Sequence, residues 1–273
     1  MSVREAIGRA RAAGRAALIG YLPAGFPSVD GSIAAIEAMV AAGVDVVEVG
    51  LPYSDPVMDG PTIQRATEGA LAGGVRTADT FTVVAAAVAA GAPTLAMTYW
   101  NPVERYGVER FARELAAAGG DGLITPDLVP EEATEWMAAA DDLRLDRVFL
   151  VAPSSSDARI ASTVTACRGF VYATSVMGVT GARAATSRLA PELVARTRGP
   201  ADTAGLPIGV GLGVRDGDQA AEVAAYADAV IVGSAFVRCL LDAGGDRAAG
   251  VDAVADLTRD LADGVRRPAG SVA

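Results

Sequence analysis

Eight short apolar runs recur along this chain, each followed by a stretch with helical character. They occupy residues 16–22, 44–49, 93–99, 122–125, 147–151, 170–174, 206–210 and 229–232. Most are bounded by glycine or proline and lack the polar–apolar alternation of a strand with one wet face. Strands buried on both faces read this way, as in a parallel sheet covered by helices. Between the first two runs, Ile33, Ile36 and Val40 share one helical face. Eight such units in 273 residues predict an α/β fold, a TIM (β/α)8 barrel, with an extra N-terminal helix over residues 2–14. The competing architecture is a doubly wound sheet with added helices. No composition shift marks a linker, so residues 1–273 are expected to form a single domain.

Finer features follow from local signals. Ser28 or Asp30 caps the second helix, Thr77 caps a helix reaching residue 90, and Ser154 to Ser156 with Asp157 form another cap. Residues 100–102 read as a loop after the third strand, and residues 131–140 as a helix.

What the chain lacks narrows its chemistry. There is no histidine, and all 23 basic residues are arginine. Histidine-based triads, Cys–His pairs and histidine metal sites are therefore excluded. Without lysine there is no Schiff base and no lysine-held pyridoxal phosphate. Arginine stays protonated, so proton transfer near neutrality falls to Asp and Glu, with Tyr second. The net charge of −10, with no basic run, argues against nucleic acid as a partner. Cys167 and Cys239 share no motif and read as buried thiols in a reducing compartment. No hydrophobic leader or membrane-length apolar run is present, and a cytoplasmic location is expected.

In such a barrel the site lies at the C-terminal strand ends. The second unit then stands out. Glu48 lies near the end of an otherwise apolar strand, where a charge is costly unless used. Asp59 follows eleven residues later in a loop stiffened by Pro52, Pro56 and Pro61. The pair reads either as an acid/base couple or as a satisfied strand acid beside a solvated one. Tyr21, Tyr99 and Tyr172 leave other strands, as binding groups or ordinary packing; Asp127 reads as a structural acceptor. Gly211, Gly213, Gly233 and Ser234 follow the seventh and eighth strands, where barrels commonly bind phosphate through backbone amides.

The chain resembles the tryptophan synthase α-subunit family from end to end. The resemblance rests on VEVGLPYSDPVMDGPTIQ (47–64), MTYWNPVERYG (97–107), ITPDL (124–128), MGVTGAR (177–183), GVGLGVRD (209–216) and IVGSAFV (231–237). It implies retro-aldol cleavage of indole-3-glycerol phosphate to indole and glyceraldehyde 3-phosphate. Glu48 would then move protons, and Asp59 would hold the indole N–H. Tyr21, Tyr99, Tyr172 and Thr180 would line the substrate site, Thr180 helping the long loop close onto Asp59. Gly181, Gly211, Gly213, Gly233 and Ser234 would hold the phosphate. No metal or cofactor is implied on this chain. The resemblance further implies a β subunit carrying pyridoxal phosphate in an α2β2 complex, contacted through Pro52, Asp55 and Pro56. A stand-alone indole-releasing lyase, a phosphate-ligand sensor and a sugar-phosphate isomerase are the other readings.

Overall fold

The computed structural model describes residues 1–174 and 183–267. Nine strands form one all-parallel sheet: β1 (Ala17–Pro23), β2 (Val46–Gly50), β3 (Thr94–Met97), β4 (Gly122–Ile124), β5 (Asp146–Val148), β6 (Leu150–Val151), β7 (Val171–Thr174), β8 (Ile208–Gly211) and β9 (Ala229–Val232). Their spatial order is β5-β4-β3-β2-β1-β9-β8-β7-β6. β5 and β6 are separated only by Phe149, so they act as one strand. Its first half pairs with β4 and its second with β7, which brings the two ends of the sheet together. The eight runs read in the sequence thus form an eight-staved barrel.

The helices are α1 (Val3–Ala12), α2 (Val29–Ala42), α3 (Pro61–Ala72), α4 (Thr77–Ala89), α5 (Trp100–Tyr106) and α6 (Val108–Ala117). Then come α7 (Thr134–Leu143), α8 (Asp157–Ala166), α9 (Arg183–Ala204), α10 (Gly217–Ala224), α11 (Ser234–Asp242) and α12 (Arg247–Gly264). Ser28 caps α2 and Ser156 caps α8, each accepting a backbone N–H in the first turn. Thr77 does not cap α4. It is the first helical residue, and Asp79 instead accepts the N–H of Arg76, the N-cap. Residues 100–102 begin α5 rather than a loop. Pro102 falls in the first turn, where a missing N–H costs nothing. The segment read as one helix over 131–140 is a 3-10 turn, Pro130–Glu132, followed by α7.

Two cores result from the alternation of side chains along each strand. The outward one lies between sheet and helices and includes Val47, Val49, Phe111, Trp136 and Phe236. The inward one fills the barrel with Ala17, Ile19, Val46, Leu95, Ile124, Val148, Phe170 and Ile231. Val3, Ala6, Ile7 and Ala10 of α1 belong to that inward cluster. The extra helix therefore closes the N-terminal end of the barrel.

Three aspartates pin the closed end. Each sits one residue before a strand and accepts the N–H of a residue on a neighbouring strand. Asp45 takes Leu18 at 2.8 Å, Asp121 takes Thr94 at 2.9 Å and Asp228 takes Ile208 at 2.8 Å. Arg15 grips Asp45 with both terminal nitrogens at 2.7 Å, and Arg198 pairs with Asp228 at 2.5 Å. A strand slipped by one residue would lose these bonds and invert the faces of its side chains. Both cysteines are free. Among the described residues, no helix is long and apolar enough to cross a membrane.

Candidate active site

Glu48 projects into the barrel one step above Val46, because side chains two apart on a strand share a face. Its Cα partners are Tyr21 on β1 and Leu95 on β3. The residue has no exposed surface, and among the described residues neither carboxylate oxygen has a hydrogen-bond partner. An ionised carboxylate held so would be strongly penalised. Burial accordingly raises its pKa from 4.5 to about 8. Glu48 is thus a protonated acid at neutral pH, poised to donate.

Asp59 is held differently. The loop from Leu51 to Gly60 leaves β2 and re-enters at α3, whose first residue is Pro61. The Met58 N–H donates to the Tyr99 hydroxyl at 3.0 Å, and Gln64 Nε2 donates to the Asp59 carbonyl at 2.8 Å. Tyr99 also bonds the Asp59 side chain. Burial raises the Asp59 pKa, and the Tyr99 bond opposes that rise. Tyr99 is itself fixed from two sides. It is the residue before α5, whose first N–H, on Trp100, is accepted by Asp127 at 2.9 Å, and its ring lies 5.4 Å from that of Tyr53. Asp127 is the structural acceptor expected from the sequence. It acts across elements rather than on the helix that follows it.

Tyr21 and Tyr172 enclose Glu48. Burial raises both phenol pKa values well above 10, and nearby carboxylates add to the effect. Those are Asp59 and Glu48 for Tyr21, and Glu48 alone for Tyr172. Each ring lies over a glycine of the adjacent strand. A Cβ on Gly50 would stand 2.3 Å from the Tyr21 hydroxyl, and one on Gly211 would stand 2.4 Å from that of Tyr172.

The glycine loops occupy the same end. β9 stands beside β1 and β8 beside β9, so Gly211, Gly213, Gly233 and Ser234 rim the same mouth as Tyr21. Gly213 has φ +73°, which disfavours any side chain. Gly233 precedes α11, and the first N–H groups of that helix, from Ser234 on, have no helical carbonyl to bond. Such an end suits an anion. Thr180 and Gly181 lie outside the described residues. Among those described, no group of three or more carboxylates and thiols converges to hold a metal.

The structure thus brings Glu48, Asp59, Tyr21, Tyr99 and Tyr172 together. Pro52 is buried, Pro56 half-buried and Asp55 exposed on the intervening loop. Sequence reasoning missed Gly50. Its only signal was a glycine two residues beyond an inward-facing acid.

A family model described as tryptophan synthase alpha chain matches residues 7–266. The chain belongs to the tryptophan synthase alpha chain family. It is 63% identical to the tryptophan synthase alpha chain of Salinispora tropica over 264 residues, which is 97% of each chain. It is 61% identical to that of Acidothermus cellulolyticus over 266 residues, again 97% of each. A solved structure of Mycobacterium tuberculosis tryptophan synthase matches it with TM-score 0.90 and 57% identity, covering 97% of this chain and 98% of that one. Membership of the family makes the chain a lyase of tryptophan biosynthesis, built as the TIM barrel read from its sequence.

Proposed function

We propose that Glu48 and Asp59 carry out in this chain the reaction of the family's α subunit, retro-aldol cleavage of indole-3-glycerol phosphate to indole and glyceraldehyde 3-phosphate. The observation that carries the assignment is the buried, unpartnered Glu48 carboxyl, neutral near pH 7, beside a second carboxylate held in place by Tyr99. Cleavage begins with proton transfer from Glu48 to the indole carbon that bears the glycerol chain. The ring nitrogen then takes on positive charge. Asp59, held by its Tyr99 bond, accepts the indole N–H and stabilises that charge. The Glu48 carboxylate next removes the proton of the adjacent glycerol hydroxyl. The carbon–carbon bond breaks, its electron pair returns to the ring, and an aldehyde forms. The protonated indole is its own electron sink, so a chain without lysine suffices. Glu48 ends protonated, ready for the next turnover.

Tyr21 and Tyr172 border the indole in this scheme. The amides of Gly211, Gly213, Gly233 and Ser234, with Gly181, hold the phosphate, and Thr180 closes its loop toward Asp59. A β subunit bearing pyridoxal phosphate takes up the indole in an α2β2 complex. The Pro52, Asp55 and Pro56 loop is its contact. Support comes from Val57 and Met58 on that loop, 80% and 40% exposed, since large apolar side chains left in water favour a partner surface. A cytoplasmic location accords with this role. Indole release, measured with and without a β subunit, tests the scheme. Slow cleavage alone and acceleration by the partner are expected. Full activity alone would favour a stand-alone lyase, and no cleavage in either case would overturn the assignment.

A further inference from the structure

We propose that Tyr21 is a positioning residue whose ring walls the Glu48 carboxyl from water, and that Gly50 is the slot that admits it. The proposal rests on the site assigned above and deepens it. Tyr21 and Glu48 are Cα partners on neighbouring strands, so their side chains rise into the barrel at one level. Gly50 lies two residues beyond Glu48 on the same face, directly above it, and pairs with Pro23. A Cβ at Gly50 would stand 2.3 Å from the Tyr21 Oη and 2.6 Å from both Cε2 and Cζ. The tip of the ring therefore fills the space a side chain would occupy over Glu48. On its other side the ring lies against Gly233, where a Cβ would stand 3.2 Å from Tyr21 Cδ1. Tyr21 thus leans from β1 onto β2, bracketed by two glycines.

Walling matters because, among the described residues, no hydrogen bond holds Glu48. Its oxygens have no donor, and the groups facing it are Tyr21 from β1 and Tyr172 from β7. Asp59 and Tyr99, from the exits of β2 and β3, also lie near Tyr21. No cation is among these groups. Dryness alone keeps the proton on Glu48. Whatever sets that dryness sets the pH range in which the acid form is available. Among the described residues, Tyr21 is the one whose ring tip fills the side-chain space of Gly50, two residues beyond Glu48 on the same face.

The test is the pH profile of kcat/KM for indole-3-glycerol phosphate, measured on the full chain with its β subunit. In wild type, activity falls as pH rises through about 8, where the free enzyme loses the Glu48 proton. Tyr21→Ala admits water and moves that limb toward acid by roughly 1–2 pH units. Tyr21→Phe keeps the ring and leaves the limb in place. Gly50→Ala displaces the ring and gives the same acid shift. The double variant shifts no further than Tyr21→Ala alone, because one device has been removed twice. Tyr21→Leu, which fills more of the space, gives a smaller shift and covers any failure of Tyr21→Ala to fold. An unmoved limb in Tyr21→Ala or Tyr21→Leu would overturn the proposal, as would an additive shift in the double variant. If Glu48→Gln retains wild-type activity, the site assignment itself has failed, and the two failures are thereby separated.

Discussion

Replacing Glu48 by Gln should make the protein more stable, by an amount that grows with pH. The folded carboxyl titrates at about 8 and the unfolded one near 4.5. Between those values the folded state holds a proton that the unfolded state has released. Raising the pH through that window therefore favours unfolding, and the loss is complete once the folded group has titrated. At 1.36 kcal/mol per pH unit, wild type loses roughly 3 kcal/mol relative to the variant by pH 7 and roughly 5 kcal/mol by pH 9. Glutamine keeps the shape and never charges, so it suffers no such loss. The perturbation is large against a total stability of about 5–15 kcal/mol. Urea unfolding at pH 5, 7 and 9 measures it, with the difference between variant and wild type taken at each pH. That subtraction removes every other titrating group. A difference that widens steadily between pH 5 and 8 and then levels is expected. In thermal unfolding the same effect amounts to about 10 °C at pH 9. A pH-independent difference would show that Glu48 is hydrated or paired in the folded protein, and the account of its protonation would be wrong.

Other outcomes follow from the same geometry. Tyr99→Phe removes the acceptor of the Met58 N–H and the partner of Asp59. It should cost about 1–3 kcal/mol in chemical unfolding and raise the Asp59 pKa, which carboxyl-selective NMR titration reads directly. Asp228→Ala strands Arg198 and the Ile208 N–H at the closed end of the barrel. A loss of about 3–5 kcal/mol is expected, seen as a fall in Tm, while KM for the substrate stays unchanged. Gly213→Ala forces a side chain into φ +73° in the loop after β8, which is proposed to hold the phosphate. It should destabilise by roughly 1–2 kcal/mol and weaken inorganic phosphate binding in calorimetry.

The barrel was legible because its strands are buried on both faces, which leaves short apolar runs punctuated by glycine and proline. Glu48 stood out from the same pattern, since an acid inside such a run is costly unless paired or used; that no described residue pairs with it is visible only in the structure. Residues 100–102 were misread because a proline and an asparagine signal a turn in isolation. The capping carboxylate of Asp127 comes from the next unit, 27 residues away, and no local pattern reveals it. Thr77 was misread as a cap for a related reason: the bond that starts α4 runs from Asp79 back to the Arg76 N–H. The seat of Tyr21 on Gly50 joins two strands 29 positions apart in the chain. It becomes visible only when register sets them side by side. Thr180 and Gly181 belong to the MGVTGAR motif and lie outside the described residues.

The most direct test of the central claim is cleavage by Glu48→Gln compared with its binding of a phosphate ligand. Stopped-flow indole release from indole-3-glycerol phosphate reads the chemistry, and calorimetry with glyceraldehyde 3-phosphate reads the pocket. The account predicts that the variant binds the phosphate ligand nearly as wild type does and releases indole at least 10³-fold more slowly, in line with loss of a general acid. Indole release at the wild-type rate by a variant with intact binding would contradict it.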